Sequence, residues 1–170
     1  MNLYPVTIER FVHALSQLDT WLDAAAAYAQ SKKFDEANLL NARLAPDQFA
    51  FVRQVQSACD TAKFAPARLT GQKAPPHPDT ETTIADLKTR VRAVIEYLGT
   101  FDAATIDASA DRHVTMPWVP GKYLLGSDYV LSFALPNFYF HVTTAYSILR
   151  HNGVPLGKMD FLGTLPFRES

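Results

Sequence analysis

Asn137 and His141 stand four residues apart in the run Asn137-Phe138-Tyr139-Phe140-His141. On a helix that spacing puts both on one side, about 40° apart. An imidazole titrates near neutrality, so His141 could act as a general base, hold a metal through a ring nitrogen, or bond a polar neighbour in a core. It shares a stripe with Phe138, Val142, Ala145, Ile148 and Leu149. The stripe turns it toward an interior, where helical bundles assemble their metal sites. A hydrogen-bonded core histidine is the simpler of these readings.

Earlier in the chain, Gln54, Gln56 and Asp60 are candidate partners, the last two four residues apart. Any of them that is buried needs a partner of its own. The competing reading puts Gln54 and Asp60 on a solvated face. His13 and Gln17, also four apart, read as surface residues. His113 lies close to Trp118 and is either solvated or set over the mouth of a pocket. His77, among prolines, reads as exposed, and His151 as a cation at a helix end. Cys59 has neither a second cysteine nor an adjacent cation, so it reads as a small buried hydrophobe rather than a nucleophile.

Other chemistries are excluded by what the chain lacks. Its seven glycines are dispersed and form no phosphate-cradling loop. No GxSxG elbow, HExxH pair or CxxC pair occurs. Sixteen basic residues against seventeen acidic ones, all scattered, leave no basic stripe for nucleic acid or an anionic membrane surface. One cysteine fits a reducing compartment. Met1 to Arg10 shows no secretory pattern, and no apolar run approaches the roughly 20 residues of a membrane helix. A cytoplasmic protein is the expectation.

Four segments must position these side chains. A first helix is expected from about Ile8 to Gln30, where Ile8, Phe11, Leu15, Leu18 and Leu22 recur at helical steps, with Thr7 as N-cap. Ser31 to Arg43 reads as a connection with room for one short helical turn. The second helix is expected from Pro46 to Leu69, with Phe49, Val52, Val55, Cys59 and Ala62 on its core face. Pro66 kinks it or ends it early, and Gly71 stops it. A proline-rich loop follows. The third helix runs from Thr83 to Leu98, opening on a capping box of Thr83 and Asp86. Phe101 to Leu135 reads as a long connection with a small hairpin, and Lys122–Leu125 and Tyr129–Phe133 as short strands. Connections this long often cover functional sites. The fourth helix is expected from Pro136 to His151, and Val154 to Ser170 as a loop whose Phe161, Leu162, Leu165 and Phe167 pack down. Four amphipathic helices in 170 residues predict an all-α, single-domain four-helix bundle over residues 1–170.

The block from Pro136 to Tyr146, continued by Ile148-Leu149-Arg150-His151-Asn152-Gly153, resembles the last bundle helix of the DinB/YfiT-like metalloenzyme superfamily. Leu44-Ala45-Pro46-Asp47, Gln54, Asp60 and Arg68-Leu69-Thr70-Gly71 resemble its second helix. Together they are similar to one branch of that superfamily, known as a domain of unknown function. The resemblance covers most of the chain. It implies an up-down-down-up bundle, often a homodimer, whose metal-binding members hold nickel or zinc on three histidines: one from the second helix and two from an HxxxH pair on the last.

This chain departs from that pattern. His141 matches the second histidine of the pair and Asn137 occupies the first position. The second helix has no histidine; Gln54 or Asp60 stands in that region. An amide is a far weaker ligand than imidazole for a borderline metal. One imidazole, one amide and one carboxylate could hold a hard divalent ion weakly. The expectation is therefore a degenerate metal site with no cofactor at full occupancy, beside a pocket for a small molecule lined by Asn137, His141, Gln54 and Asp60. The alternative is a divalent-metal-dependent transferase or hydrolase acting on a small molecule, with His141 as ligand or general base. Tyr139 and Tyr146, seven apart, offer a shared face for core packing or for a dimer.

Overall fold

The computed structural model describes residues 2–169. Four long helices carry the chain: α1 (Ile8–Lys32), α3 (Phe51–Thr70), α4 (Ile84–Leu98) and α7 (Leu135–His151). Short helices α2 (Ala37–Leu40), α5 (Ala103–Asp107), α6 (Gly126–Tyr129) and α8 (Lys158–Leu162) link or flank them. One small antiparallel hairpin, β1 (His113–Thr115) and β2 (Tyr123–Leu125), pairs Val114 with Leu124. The fold is thus mostly helical with a minor extended component. Among the described residues, no helix is long and apolar enough to cross a membrane.

The buried side chains form one connected core, led by Phe11, Leu15, Leu18, Trp21, Phe51, Val55, Val91, Val94, Phe138 and Val142. Side-chain pairs fix how the long helices run. Asp23 and then Asp19 meet Lys88, and Asp19 also binds Arg92, so α1 and α4 pair in opposite order. Gln56 with Glu81 ties α3 to the loop before α4, and Asp60 with Arg90 ties it to α4 itself. Across α3 and α7 the order reverses, with Gln54 on His141 and Thr61 on Asn137. Phe11 with Phe138 and Trp21 with Tyr146 run in step along α1 and α7.

Several local expectations hold. Thr83 and Asp86 form the reciprocal capping box of α4. Helix α3 passes through Pro66 and ends at Gly71, whose φ of 76° is the left-handed conformation glycine takes without penalty. Others are corrected. Thr7 does not cap α1 with its side chain; its hydroxyl bonds Leu3 O instead. Helix α3 starts at Phe51, not Pro46, because Ala50 is extended and the Phe51 N–H turns back to Ala42 O. Phe49 therefore lies outside the helix and is 51% exposed, while Phe51 takes the core position.

Tyr129–Phe133 is not a strand. Tyr129 and Val130 are buried side by side while Leu131 and Ser132 are exposed, which an alternating strand cannot do. The segment is helical: α6 passes into a π-helical turn, Val130–Ala134, in which Leu135 N–H reaches Val130 O, and then into α7. Pro136, expected to open a helix, instead lies ten residues inside one, where it has no N–H to give to the preceding turn. The widened turn just before it accommodates that loss. The tail also differs from a plain loop. Helix α8 lays Phe161 against Trp21 and Tyr146, and Asp160 O accepts from Trp21 Nε1. Tyr146 is thereby spent on packing within the chain. His13, expected at the surface, is half-buried with Nε2 2.7 Å from Leu162 O.

Candidate functional site

Helices α3 and α7 face each other across a small open cavity of about 210 Å³, lined by Ser57, Asp60, Thr61, Phe64 and Arg68 from α3 and Asn137 and His141 from α7. Phe133, on the π turn, and Trp118, from the connection after β1, complete the wall. The stripe on α3 follows helical spacing: residues 57, 61, 64 and 68 share a face. The π turn brings Phe133 onto Tyr129, 5.8 Å between centroids, and under Trp118, 5.7 Å away.

Two hydrogen-bond relays cross from α7 to α3. In the first, Gln54 Nε2 donates to Phe49 O at 3.1 Å, which leaves Gln54 Oε1 as the acceptor facing His141 Nδ1 at 2.8 Å. His141 Nδ1 must then carry the hydrogen, and Nε2 is a bare lone pair in the neutral ring. In the second, the Thr61 hydroxyl donates to Ser57 O at 2.8 Å, so its oxygen can only accept, and Asn137 Nδ2 donates to it at 2.7 Å. Asn137 Oδ1 is left as an acceptor. Among the described residues neither His141 Nε2 nor Asn137 Oδ1 has a partner, and neither is sealed from solvent. Burial, and then the nearby Arg53 guanidinium, hold His141 below its ordinary pKa of 6.5. The ring is neutral at neutral pH, flanked by Phe49 and Phe140.

Gln54 is fully buried rather than solvated, because its amide closes the first relay. Asp60 lines the cavity but is drawn to α4: its Oδ1 accepts from Arg90 at 2.7 Å and from Lys63 at 2.9 Å. Asn137 and His141 share the cavity and bond different residues of α3, not each other. The sequence reading missed Thr61, the anchor of the second relay, although it stands four residues from Ser57 on a stripe that also carries Arg68. It also missed Arg68, whose guanidinium lies 5.1 Å from the Phe64 centroid and 5.2 Å from that of Trp118 while donating to Tyr129 Oη.

Other titratable groups fall into place around this. Cys59 is pushed up to about 12 by burial and is an inert thiol at neutral pH. His77 is half-buried rather than exposed, beside Lys63, and burial and that ammonium lower its pKa. His113 stacks on Tyr123 at 3.6 Å, and His151 is exposed.

The protein is mostly helical, with a cavity between two long helices that one inward histidine lines. Residues 3–162 match the family model described as "Domain of unknown function (DUF1993)", and the chain belongs to that family. It is similar to a crystal structure described as a DinB family member protein from Shewanella denitrificans, at 49% sequence identity and a TM-score of 0.95 over 99% of this chain and 96% of that one. No curated protein matches it. The three-histidine ligand set implied by the superfamily does not fit these residues. Helix α3 has no histidine, the Asn137 amide nitrogen is bonded to Thr61, and among the described residues no three His, Cys, Asp or Glu side chains converge.

Proposed function

We propose that this chain is a single-domain, up-down-down-up four-helix bundle that binds a small molecule in the α3–α7 cavity, with the superfamily's metal site converted to hydrogen bonding. The order of the cross-helix pairs supports the topology, and the continuous core supports one domain. The observation that carries the functional reading is the first relay. It holds the His141 ring in one tautomer with Nε2 free, so the ring can accept a hydrogen bond from a ligand or take its proton. A stoichiometric nickel or zinc ion is not part of this reading. Losing two of three imidazoles removes several kcal/mol of the roughly 10–16 kcal/mol of a strong zinc site.

A second reading has one specific support. His141 Nε2, Asn137 Oδ1 and Asp60 all line one cavity and could hold a hard divalent ion weakly, as a transferase or hydrolase would need. Elemental analysis of protein purified without chelator or histidine tag tests for nickel or zinc, and titration with magnesium and calcium, read at the His141 ring, separates the two readings. The expected result is no stoichiometric transition metal, together with a stability loss on the order of 1–3 kcal/mol for His141→Ala from unpaired buried partners. About one nickel or zinc per chain, lost in His141→Ala with metal-free stability unchanged, would overturn the proposal.

A homodimer also belongs to the proposal, as the superfamily resemblance implies. Exposed Phe49, Leu131 and Phe140 supply apolar surface for it outside the core.

A further inference from the structure

The cavity is polarised from end to end. At one end stand two free acceptors, His141 Nε2 and Asn137 Oδ1, by the logic of the two relays, beside the Ser57 hydroxyl, which can give or take a hydrogen bond. Asp60 adds to this end, because Arg90 and Lys63 occupy its Oδ1 and nothing among the described residues bonds its Oδ2. At the other end stands Arg68, which can only donate. No carboxylate among the described residues pairs with it. Its Nη1 donates to Tyr129 Oη at 3.1 Å, and its guanidinium carbon lies 5.1 Å and 5.2 Å from the Phe64 and Trp118 ring centroids. Those contacts hold the guanidinium in place, and among the described residues Nη2 and Nε have no partner. The edge they form matches one carboxylate in a two-pronged bond, and the single charge balances a monoanion.

The two ends are separated along α3. His141 meets the helix at Gln54, Asn137 meets it at Thr61, and the Arg68 guanidinium lies over Phe64. Thr61 and Phe64 are three residues apart, roughly 5 Å along the axis, and His141 lies one further turn along α7, which puts it roughly 10 Å from the Arg68 end. A carboxylate at one end and a donor at the other must therefore sit on opposite ends of the ligand, not on one carbon. Phe64, Phe133 and Trp118 line the space with aromatic surface suited to methylenes. We infer that the cavity binds a short, unbranched carboxylic acid with an amino or hydroxyl group at its far end, its carboxylate on Arg68 and its donor on His141 and Asn137. The inference deepens the small-molecule reading above and rests on it.

The test uses the full chain labelled with ¹⁵N at histidine. The probes are γ-aminobutyrate, δ-aminovalerate and ε-aminocaproate, with caproate and pentylamine as the two separated halves. Binding is read from the His141 Nε2 resonance and by calorimetry. Affinity is expected to rise with chain length through the amino acids, and ε-aminocaproate should exceed either half at least tenfold. Arg68→Met should remove that gain and leave pentylamine binding unchanged. Arg68→Lys, which keeps the charge should the first variant fold poorly, should retain part of it. Three results would overturn the inference. Pentylamine equal to ε-aminocaproate would leave the His141 cavity as a donor-binding site and remove Arg68 from it. Unchanged binding in both Arg68 variants would do the same. If no probe moves the His141 signal, the ligand class is wrong, and metal analysis then decides separately whether the underlying reading survives.

Discussion

Replacing Gln54 by glutamate should reverse the titration of His141. In the native chain Gln54 Oε1 accepts from Nδ1 at 2.8 Å, and burial together with Arg53 keeps the ring below 6.5. A carboxylate at position 54 keeps an acceptor at Nδ1 and adds a full negative charge, while the hydrogen bond that Gln54 gives to Phe49 O is lost. Two unit charges about 4 Å apart at an effective dielectric near 20 attract by about 4 kcal/mol. At about 1.36 kcal/mol per unit, that corresponds to about three pKa units as an upper bound. The open cavity screens the pair, so a rise of about one to two units is expected. Long-range ¹H–¹⁵N correlation of the histidine ring across pH measures it and reports the tautomer directly. Stability should follow with opposite signs. The native His141 binds fewer protons folded than unfolded, so native stability falls as pH drops below 6.5 toward the lower folded value. In Gln54→Glu the ring gains a partner, so its contribution is complete below 6.5 and is lost as pH rises through the raised folded value. A native ring protonated on Nε2 rather than Nδ1, or a Gln54→Glu ring still titrating below 6.5, would refute the relay and the proposal built on it.

Two further outcomes can be checked on the same protein. Arg90, 3% exposed, holds Pro78 O, Asp79, Glu81 and Asp60; Arg90→Met should cost about 2–4 kcal/mol in denaturant unfolding, the lower part of the range for a broken buried pair because Asp60 and Asp79 are partly solvated. It should also flatten the acid limb of the stability curve, since Glu81 lies below its ordinary 4.5 when the Arg90 and Gln56 hydrogen bonds outweigh burial; a variant as stable as the native chain would show that the pairs contribute nothing. In sedimentation at micromolar concentration the chain should travel as a dimer, and a lone 18.9 kDa species would end that proposal.

The four long helices were legible because each carries an apolar stripe at helical period, and Thr83 with Asp86 announces its cap outright. The rotation of α3 about its own axis was not legible. Whether Gln54 or Asp60 faces His141 depends on what competes for Asp60, and the competitors lie far along the chain. Arg90 arrives from α4, and Asp79 and Glu81 from the loop after Gly71. That network claims the carboxylate, and the amide is left to close onto the imidazole. The start of the last helix failed for a different reason. Pro136 is an ordinary N-terminal signal, and Tyr-Val-Leu-Ser-Phe has strand-forming composition. Only packing of Tyr129, Val130 and Ala134 together against the core chooses the helix and its π turn.

The direction of the hydrogen bonds, more than the identity of the residues, determines what the cavity can hold. An isolated asparagine and histidine could each present either a donor or an acceptor. Here the helix backbone removes the choice. Phe49 O and Ser57 O can only accept, so Gln54 and Thr61 must donate to them, and each presents an acceptor to α7. His141 and Asn137 must then donate to α3 and turn lone pairs toward the cavity. A carboxylate or phosphate placed beside His141 would meet the lone pairs of Nε2 and Asn137 Oδ1, with only the Ser57 hydroxyl there to donate to it, and is disfavoured at that end. Protonating His141 would place a second donor, Nε2–H, in the same space and admit the anion. The lowered pKa keeps that from happening at neutral pH. The depressed titration of His141 and the preference of the site for donors are thus linked, and any substitution that raises the first should relax the second.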